Sequence, residues 1–198
     1  MITVSQFVKA YGHNLNIIEG YSQQVPDQVA DLIKLSKNSI NVMEIGFNAG
    51  HSAELFLKNN PNLTLTSFDL GYHDYVATAK EYIDLFYPNR HTLILGDSTV
   101  TIPKYINENP DKTFDLIFID GGHTYEVANA DIENCRKLAN KDTVVILDDT
   151  IYKEEWIGPC TIEPTKVWIE QLMNSKISEI NKIDYEAWRG MSWGKYIF

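Results

Sequence analysis

The feature that most constrains this chain is an alternation: five short apolar runs, rich in β-branched or aromatic residues, are separated by segments of helical spacing. The runs are Asn41 to Gly46, Leu63 to Asp69, His91 to Leu95, Phe114 to Asp120 and Thr143 to Asp148. Between them, Ala49 to Lys58, Asp74 to Phe86, Thr99 to Asn107 and Thr124 to Ala139 repeat apolar residues at helical intervals. Such a rhythm builds a parallel sheet through right-handed crossovers. Leu-Ile-Phe-Ile and Val-Val-Ile-Leu are apolar without alternation, as strands covered on both faces must be. After Asp149 the rhythm breaks. A loop leads to a helix near Thr165 to Met173, and Ile177 to Asp184 and Ser192 to Phe198 read as an antiparallel pair.

With 198 residues, 44% of them hydrophobic, the chain has enough apolar surface for one domain. Residues 1–40 are expected to form a helical cap, with Val29, Leu32, Ile33 and Leu35 marking an amphipathic segment after Pro26. Residues 41–150 form the core, and 151–198 a closing loop, helix and strands. A formal charge of −10 and the lack of a basic run argue against a grip on nucleic acid or anionic lipid. No apolar stretch approaches the roughly 20 residues of a membrane span, and the N-terminus lacks a signal pattern, so a cytosolic location is expected. Cys135 and Cys160 lack metal-ligand spacing and read as reduced thiols, Cys135 on the apolar face of a helix. All four tryptophans lie in the last stretch, where Trp168 and Trp193 are expected to pack the sheet edge.

In an open parallel sheet, ligands bind outside the carboxyl ends of the strands. Here those ends carry Glu44, Asp69, Asp97, Asp120 and the pair Asp148 and Asp149. The first strand runs into Val-Met-Glu-Ile-Gly-Phe-Asn-Ala-Gly-His-Ser, a glycine turn that lets a ligand approach the backbone and opens a helix N-terminus. A dinucleotide site would place a glycine where Glu44 stands. A carboxylate there repels a pyrophosphate and suits a cofactor presenting an ammonium and a sulfonium. Asp69, 23 residues beyond Gly46, can accept both hydroxyls of a ribose, or cap the next helix. Asp97 and Ser98 can meet an adenine edge, or cap the helix from Thr99.

Over Val42 to Thr150 the sequence resembles the class I S-adenosylmethionine-dependent methyltransferases, and within them the metal-dependent O-methyltransferases related to catechol O-methyltransferase and to several sugar O-methyltransferases. The pieces that carry the likeness are VMEIGFNAGHSAELF, SFDLG, LILGDS, FDLIFIDGGHTYE and VVILDDT, in the family's order and spacing. The resemblance implies a Rossmann-like, doubly wound α/β sheet of about seven strands, mostly parallel with an antiparallel C-terminal hairpin. It places Glu44, Gly46, Asn48, Gly50 and Ser52 at the methionine half of S-adenosylmethionine, Asp69 on the ribose, and Asp97 with Ser98 by the adenine. It further implies Asp120, Asp148 and Asp149 as ligands of Mg²⁺ or Mn²⁺, with Asp120 also touching cofactor and reaction. The bland alternative for the three is capping and loop hydrogen bonding. His123 stands where catechol O-methyltransferase has a lysine base, a departure from that pattern, and histidine can do the same work nearer neutrality.

Trp156, Trp188 and Arg189 offer aromatic faces and donors suited to a sugar or other polyhydroxylated acceptor, with a catechol or phenol as the alternative. The expected partner is thus a small-molecule or glycan acceptor, and a homodimer is compatible with the sequence without being indicated by it. Two rivals are an NAD-dependent oxidoreductase, which Glu44 opposes, and a non-catalytic cofactor-binding module, which the joint presence of His123 and Asp148 opposes.

Overall fold

The computed structural model describes residues 2–12, 18, 25–186 and 188–198; residues 1, 13–17, 19–24 and 187, including part of the expected N-terminal cap, lie outside the described residues. Two helices of that cap are described. Helix α1 (Val4–Tyr11) starts with a capping box in which Thr3 and Gln6 satisfy each other's backbone N–H groups. Helix α2 (Pro26–Ser36) places its proline at the first helical position, where the missing N–H costs nothing.

The five apolar runs become parallel strands β1 (Asn41–Ile45), β2 (Thr64–Asp69), β3 (His91–Leu95), β4 (Leu116–Ile119) and β5 (Val144–Asp148). Helices α3 (His51–Asn59), α4 (Tyr75–Phe86), α5 (Ser98–Glu108) and α6 (Tyr125–Arg136) connect them. Strand β4 is shorter than its apolar run, because Phe114 N–H donates to the carbonyl of Leu138 rather than to a neighbouring strand. Beyond β5 lie a single turn at Glu154–Trp156, α7 (Pro159–Met173), and strands β6 (Ile177–Tyr185) and β7 (Arg189–Tyr196). Helix α7 begins six residues before the expected Thr165. Pro159 takes its first position, and Pro164, which would ordinarily interrupt a helix, lies inside it. Strand β7 likewise begins at Arg189 rather than Ser192, because Tyr185 already pairs with Arg189 across the hairpin.

The sheet order is β3-β2-β1-β4-β5-β7-β6, with β7 antiparallel to both its neighbours. The order reverses between β1 and β4, and at such a switch the crossovers leave on opposite faces and open a crevice above the carboxyl ends. Apolar residues pack on both faces. Phe118 of β4 is fully buried and meets Phe56 of α3 edge to face, ring centroids 5.8 Å apart. Trp168 and Trp193 pack the sheet as expected, and the indole N–H of Trp168 donates to Glu179 over 2.8 Å. Cys135 is buried and Cys160 exposed, both free thiols. No described helix is long and apolar enough to cross a membrane.

Because Phe118 joins the central strand to α3, Phe118→Ala should lower unfolding free energy by about 3–5 kcal/mol. Urea denaturation followed by circular dichroism measures this, with the midpoint falling and the slope unchanged.

Candidate active site

The glycine turn after β1 fixes the crevice floor. Gly46 has φ +95°, and a Cβ there would stand 1.9 Å from the carbonyl oxygen of Asp120, so only glycine lets the two strand ends approach this closely. Gly50, at φ +74°, then turns the chain into α3.

Two cavities open on either side of this floor. The larger, about 390 Å³, runs over Asp69, Tyr72, Gly96, Ser98 and Gly122. The smaller, about 240 Å³, is lined by His51, Ser52, His123, Asp149 and Arg189. Gly46, Asn48, Asp120 and Gly121 belong to both.

In the larger cavity Asp69 accepts the backbone N–H of Asn48 and that of Gly71, each over 2.7 Å, which anchors its carboxylate at the wall. Asp97 accepts both the backbone N–H and the hydroxyl of Thr99, so it caps α5; these bonds hold its pKa below the usual value. Ser98 opens α5 and lines the cavity.

Glu44 lies beneath the floor, fully buried. Ser52 donates to one of its oxygens and Ser67 to the other, the latter over 2.6 Å. Burial outweighs these bonds and pushes its pKa up to about 7. Its charge therefore reaches the crevice through Ser52, which lines the smaller cavity, rather than by direct exposure.

The far side gathers the remaining carboxylates. Asp120 is held well above the ordinary carboxylate range by burial and then by the negative charges of Asp148 and Asp149, with the Arg189 guanidinium opposing. Asp149 adopts a left-handed backbone, φ +55°, a conformation aspartate tolerates. One of its oxygens lies 2.8 Å from Nε2 of His123 and the other 3.4 Å from Arg189. This contact raises the imidazole pKa. Its angles nevertheless leave the shielded Nε2 without a well-formed hydrogen bond among the described residues.

The cluster of possible ligand atoms in the structure differs from the expected set. Ligand atoms of Asp120, His123 and Asp149 all lie within 4.8 Å of one another, and Asp148 is not in this group. Successive strand residues point to opposite faces. Asp148 ends β5 facing α2, where Gln28 donates to it over 2.7 Å, and burial with the nearby Asp149 charge raises its pKa to about 7. Two carboxylate oxygens and an unsatisfied imidazole nitrogen form a donor set that fits a small divalent cation. Of the expected acceptor residues, Arg189 lines the smaller cavity. Trp156 lies under the Lys153 ammonium, 3.8 Å from its ring centre, and Trp188 is 65% exposed on the hairpin turn. Gln28, Ser67, His51 and Asp131 were not singled out from the sequence: each comes from a helix or strand whose pattern signals only packing.

The buried Glu44 carboxyl generates a sign-specific prediction. Its folded pKa is raised, so its favourable contribution is fully present below pH 4.5 and is lost as pH rises through about 7. Above that range the ionised group costs on the order of 3 kcal/mol in the ligand-free protein. Glu44→Gln should therefore gain stability relative to the parent between pH 4.5 and pH 7. Urea unfolding of both proteins across that range checks this, and a difference independent of pH would count against it.

Residues 43–150 match the family model described as a methyltransferase domain. No curated protein sequence matches the chain. Among solved structures, an O-methyltransferase from Bacillus cereus in complex with S-adenosylhomocysteine superposes with a TM-score of 0.76 at 17% identity, over 97% of this chain and 88% of that one. An O-methyltransferase of tomaymycin synthesis from Streptomyces achromogenes, in complex with S-adenosylmethionine, gives 0.74 at 13% identity over 98% and 88%. A methyltransferase from Podospora anserina bound to S-adenosylhomocysteine gives 0.70 at 15% identity over 98% and 94%. These likenesses show a shared fold, and the family model, spanning more than half of the sequence, establishes that the chain belongs to the methyltransferase domain family.

Proposed function

We propose that the chain is an S-adenosylmethionine-dependent O-methyltransferase acting on a hydroxyl of a sugar or other polyhydroxylated small molecule, assisted by Mg²⁺ or Mn²⁺. The observation that carries the reading is the position of Asp120 on the wall shared by the two cavities. A donor lodged in one and an acceptor in the other would meet at that carboxylate. The O-methyltransferases from Bacillus cereus and Streptomyces achromogenes, with product and cofactor bound respectively, lend support through their shared fold.

In this reading Asp69 takes the ribose hydroxyls and Ser98 the adenine edge. Gly46, Asn48 and Gly50 shape the turn around the methionine half, and Ser52 carries the Glu44 charge toward its ammonium. When bound, S-adenosylmethionine supplies an electrophilic methyl group on a sulfonium. Asp120 and Asp149 would hold the divalent cation, which would supply Lewis acidity to bring the pKa of an acceptor hydroxyl far below the value of about 15.7 typical of bulk water. His123 accepts the hydroxyl proton, and Asp149 beside it stabilises the imidazolium so formed. Asp148 acts from behind: its charge raises the affinity of the edge for cations while Gln28 keeps its oxygen turned away. Arg189 donates to the acceptor, and the polar lining of the smaller cavity suits many hydroxyls better than an apolar ring. The reaction belongs in the cytosol, with no nucleic acid or membrane partner.

The convergence of His123 with Asp120 and Asp149 favours a second assignment, in which the imidazole is itself a cation ligand. An N,O,O donor set then prefers Mn²⁺ over Mg²⁺. His123→Asn separates the two. Loss of a base removes the acidic limb of the pH–rate profile and leaves cation affinity unchanged. Loss of a ligand weakens Mn²⁺ binding by about tenfold or more.

The function itself is tested by calorimetric titration with S-adenosylmethionine and S-adenosylhomocysteine, followed by a methyl-transfer screen over sugars, catechols and phenols with and without Mg²⁺ or Mn²⁺. Asp149→Asn should lower turnover by about 100-fold or more, while S-adenosylhomocysteine affinity stays within about threefold, since Asp149 lines only the acceptor side. Transfer to phenols alone would redirect the acceptor, and full activity without a divalent cation would remove the metal.

A further inference from the structure

Arg189 opens β7 and faces Tyr185 across the hairpin. The next residue pins it in place: a Cβ on Gly190 would stand 2.3 Å from the carbonyl oxygen of Thr150, so the start of the strand is pressed against the chain just past Asp149. The Arg189 side chain is 23% exposed. Among the residues that line the smaller cavity, it is the one that stays positive at every ordinary pH.

A guanidinium carries five N–H donors in a fixed fork. Here only Nη1 makes a contact among the described residues, to one oxygen of Asp149 at 3.4 Å. That is longer than the roughly 2.7–2.9 Å of a well-formed charge-assisted bond. The other Asp149 oxygen belongs to His123, 2.8 Å away. A residue serving only as the counter-ion of Asp149 would meet it closely and with both prongs. Instead Nε and Nη2 have no hydrogen-bond partner among the described residues, and the fork stands largely unused on the cavity wall.

We propose that Arg189 is a specificity-determining residue for an anionic group on the acceptor: a pair of anionic oxygens, as on a carboxylate or a phosphate ester, engages the guanidinium fork while a hydroxyl of the same molecule reaches Asp120 and His123. Two parallel N–H···O bonds of ordinary length outweigh the single long contact to Asp149, which keeps His123 as its partner. The two ends lie close together. Ligand atoms of Asp120, His123 and Asp149 stand within 4.8 Å of one another, and Arg189 is the next group beyond Asp149, all around a cavity of about 240 Å³. A sugar acid or a sugar phosphate carries both groups on one small molecule. The inference rests on the reading of the smaller cavity as the acceptor site, and narrows that reading from polyhydroxylated molecules in general to acidic ones.

The test follows transfer of a labelled methyl group from S-adenosylmethionine, with Mg²⁺ or Mn²⁺ present, to glucose and galactose, to their uronic acids and to their 6-phosphates. For at least one acidic set, kcat/KM should exceed that of the matched neutral sugar by about 10- to 100-fold, and the product should be a methyl ether. Whichever acidic set reacts distinguishes carboxylate from phosphate. Arg189→Gln should cut the preference to within about threefold, chiefly through KM. Arg189→Lys, which keeps the charge and loses the fork, should retain part of it, and serves as the second variant should the glutamine form fold poorly. Equal or better use of the neutral sugars overturns the inference, as does transfer to neither acidic set. An Arg189→Gln protein that loses acidic and neutral acceptors by one factor marks a mere counter-ion, and a base-labile methyl ester puts the anion at the reacting end; either result also refutes it. All of these leave the methyltransferase reading standing if calorimetry shows S-adenosylhomocysteine bound, whereas a parent that does not bind it overturns both together.

Discussion

The structure depends on how it tolerates crowded negative charge at one edge of its sheet. Glu44, Asp120, Asp148 and Asp149 end three adjacent strands, and all but Asp120 are at most 6% exposed. Like charges a few ångströms apart in a low-dielectric interior repel far more strongly than in water. The protein answers with several devices at once. Glu44 and Asp148 are pushed toward neutral-range pKa values, Gln28 and two serines supply donors, and His123 and Arg189 bring positive charge to Asp149. None of these removes the preference of the edge for cations. A pyrophosphate is excluded by the same charges that suit a sulfonium, an ammonium or a divalent ion.

The fold brings this edge about through two backbone facts. Reversal of strand order between β1 and β4 opens the crevice, and the glycine at position 46 lets the β1 turn touch the carbonyl of Asp120. The antiparallel insertion of β7 beside β5 adds the third. Asp148 pairs with Met191 across these strands, so Arg189, two residues earlier in β7, projects beyond the end of β5 and reaches Asp149. A parallel strand in that position would run the other way and carry its first residue to the opposite edge of the sheet. The hairpin thus serves the site as well as the core, where Trp193 of β7 packs into one apolar cluster and Trp168 of α7 into the other.

The sequence made the sheet legible because buried parallel strands need unbroken apolar runs, and it made the acidic edge legible because those runs end in Asp or Glu. It did not make side-chain direction legible there. Asp148 and Asp149 read as equivalent neighbours, yet strand geometry turns the first toward α2 and a left-handed residue turns the second toward His123. Asp97 read equally as cap and as adenine contact, and in the structure it caps α5 while lining the larger cavity beside Ser98. Partners such as Gln28, 120 residues from Asp148 in sequence, carry no local signal, since a glutamine on an amphipathic helix ordinarily faces water. Pro159 and Pro164 hid the start of α7 for a related reason: local rules treat proline as a stop, and tertiary packing tolerates it.

The division of the crevice has a consequence for specificity. The larger cavity is lined by the ends of β1 and β2, the turns that follow β1 to β4, and the starts of α5 and α6, all within the strongly periodic part of the sequence. The smaller takes Arg189 from the C-terminal hairpin and stands next to the irregular stretch from Thr150 to Gly158. On the proposed reading, the methyl donor lies on the regular side of the crevice and the acceptor beside the irregular one. Asp120 and Gly121 are where the two requirements meet. They follow directly on the central strand β4, which is buried along its length and held between β1 and β5, so the backbone that presents them is fixed from both sides.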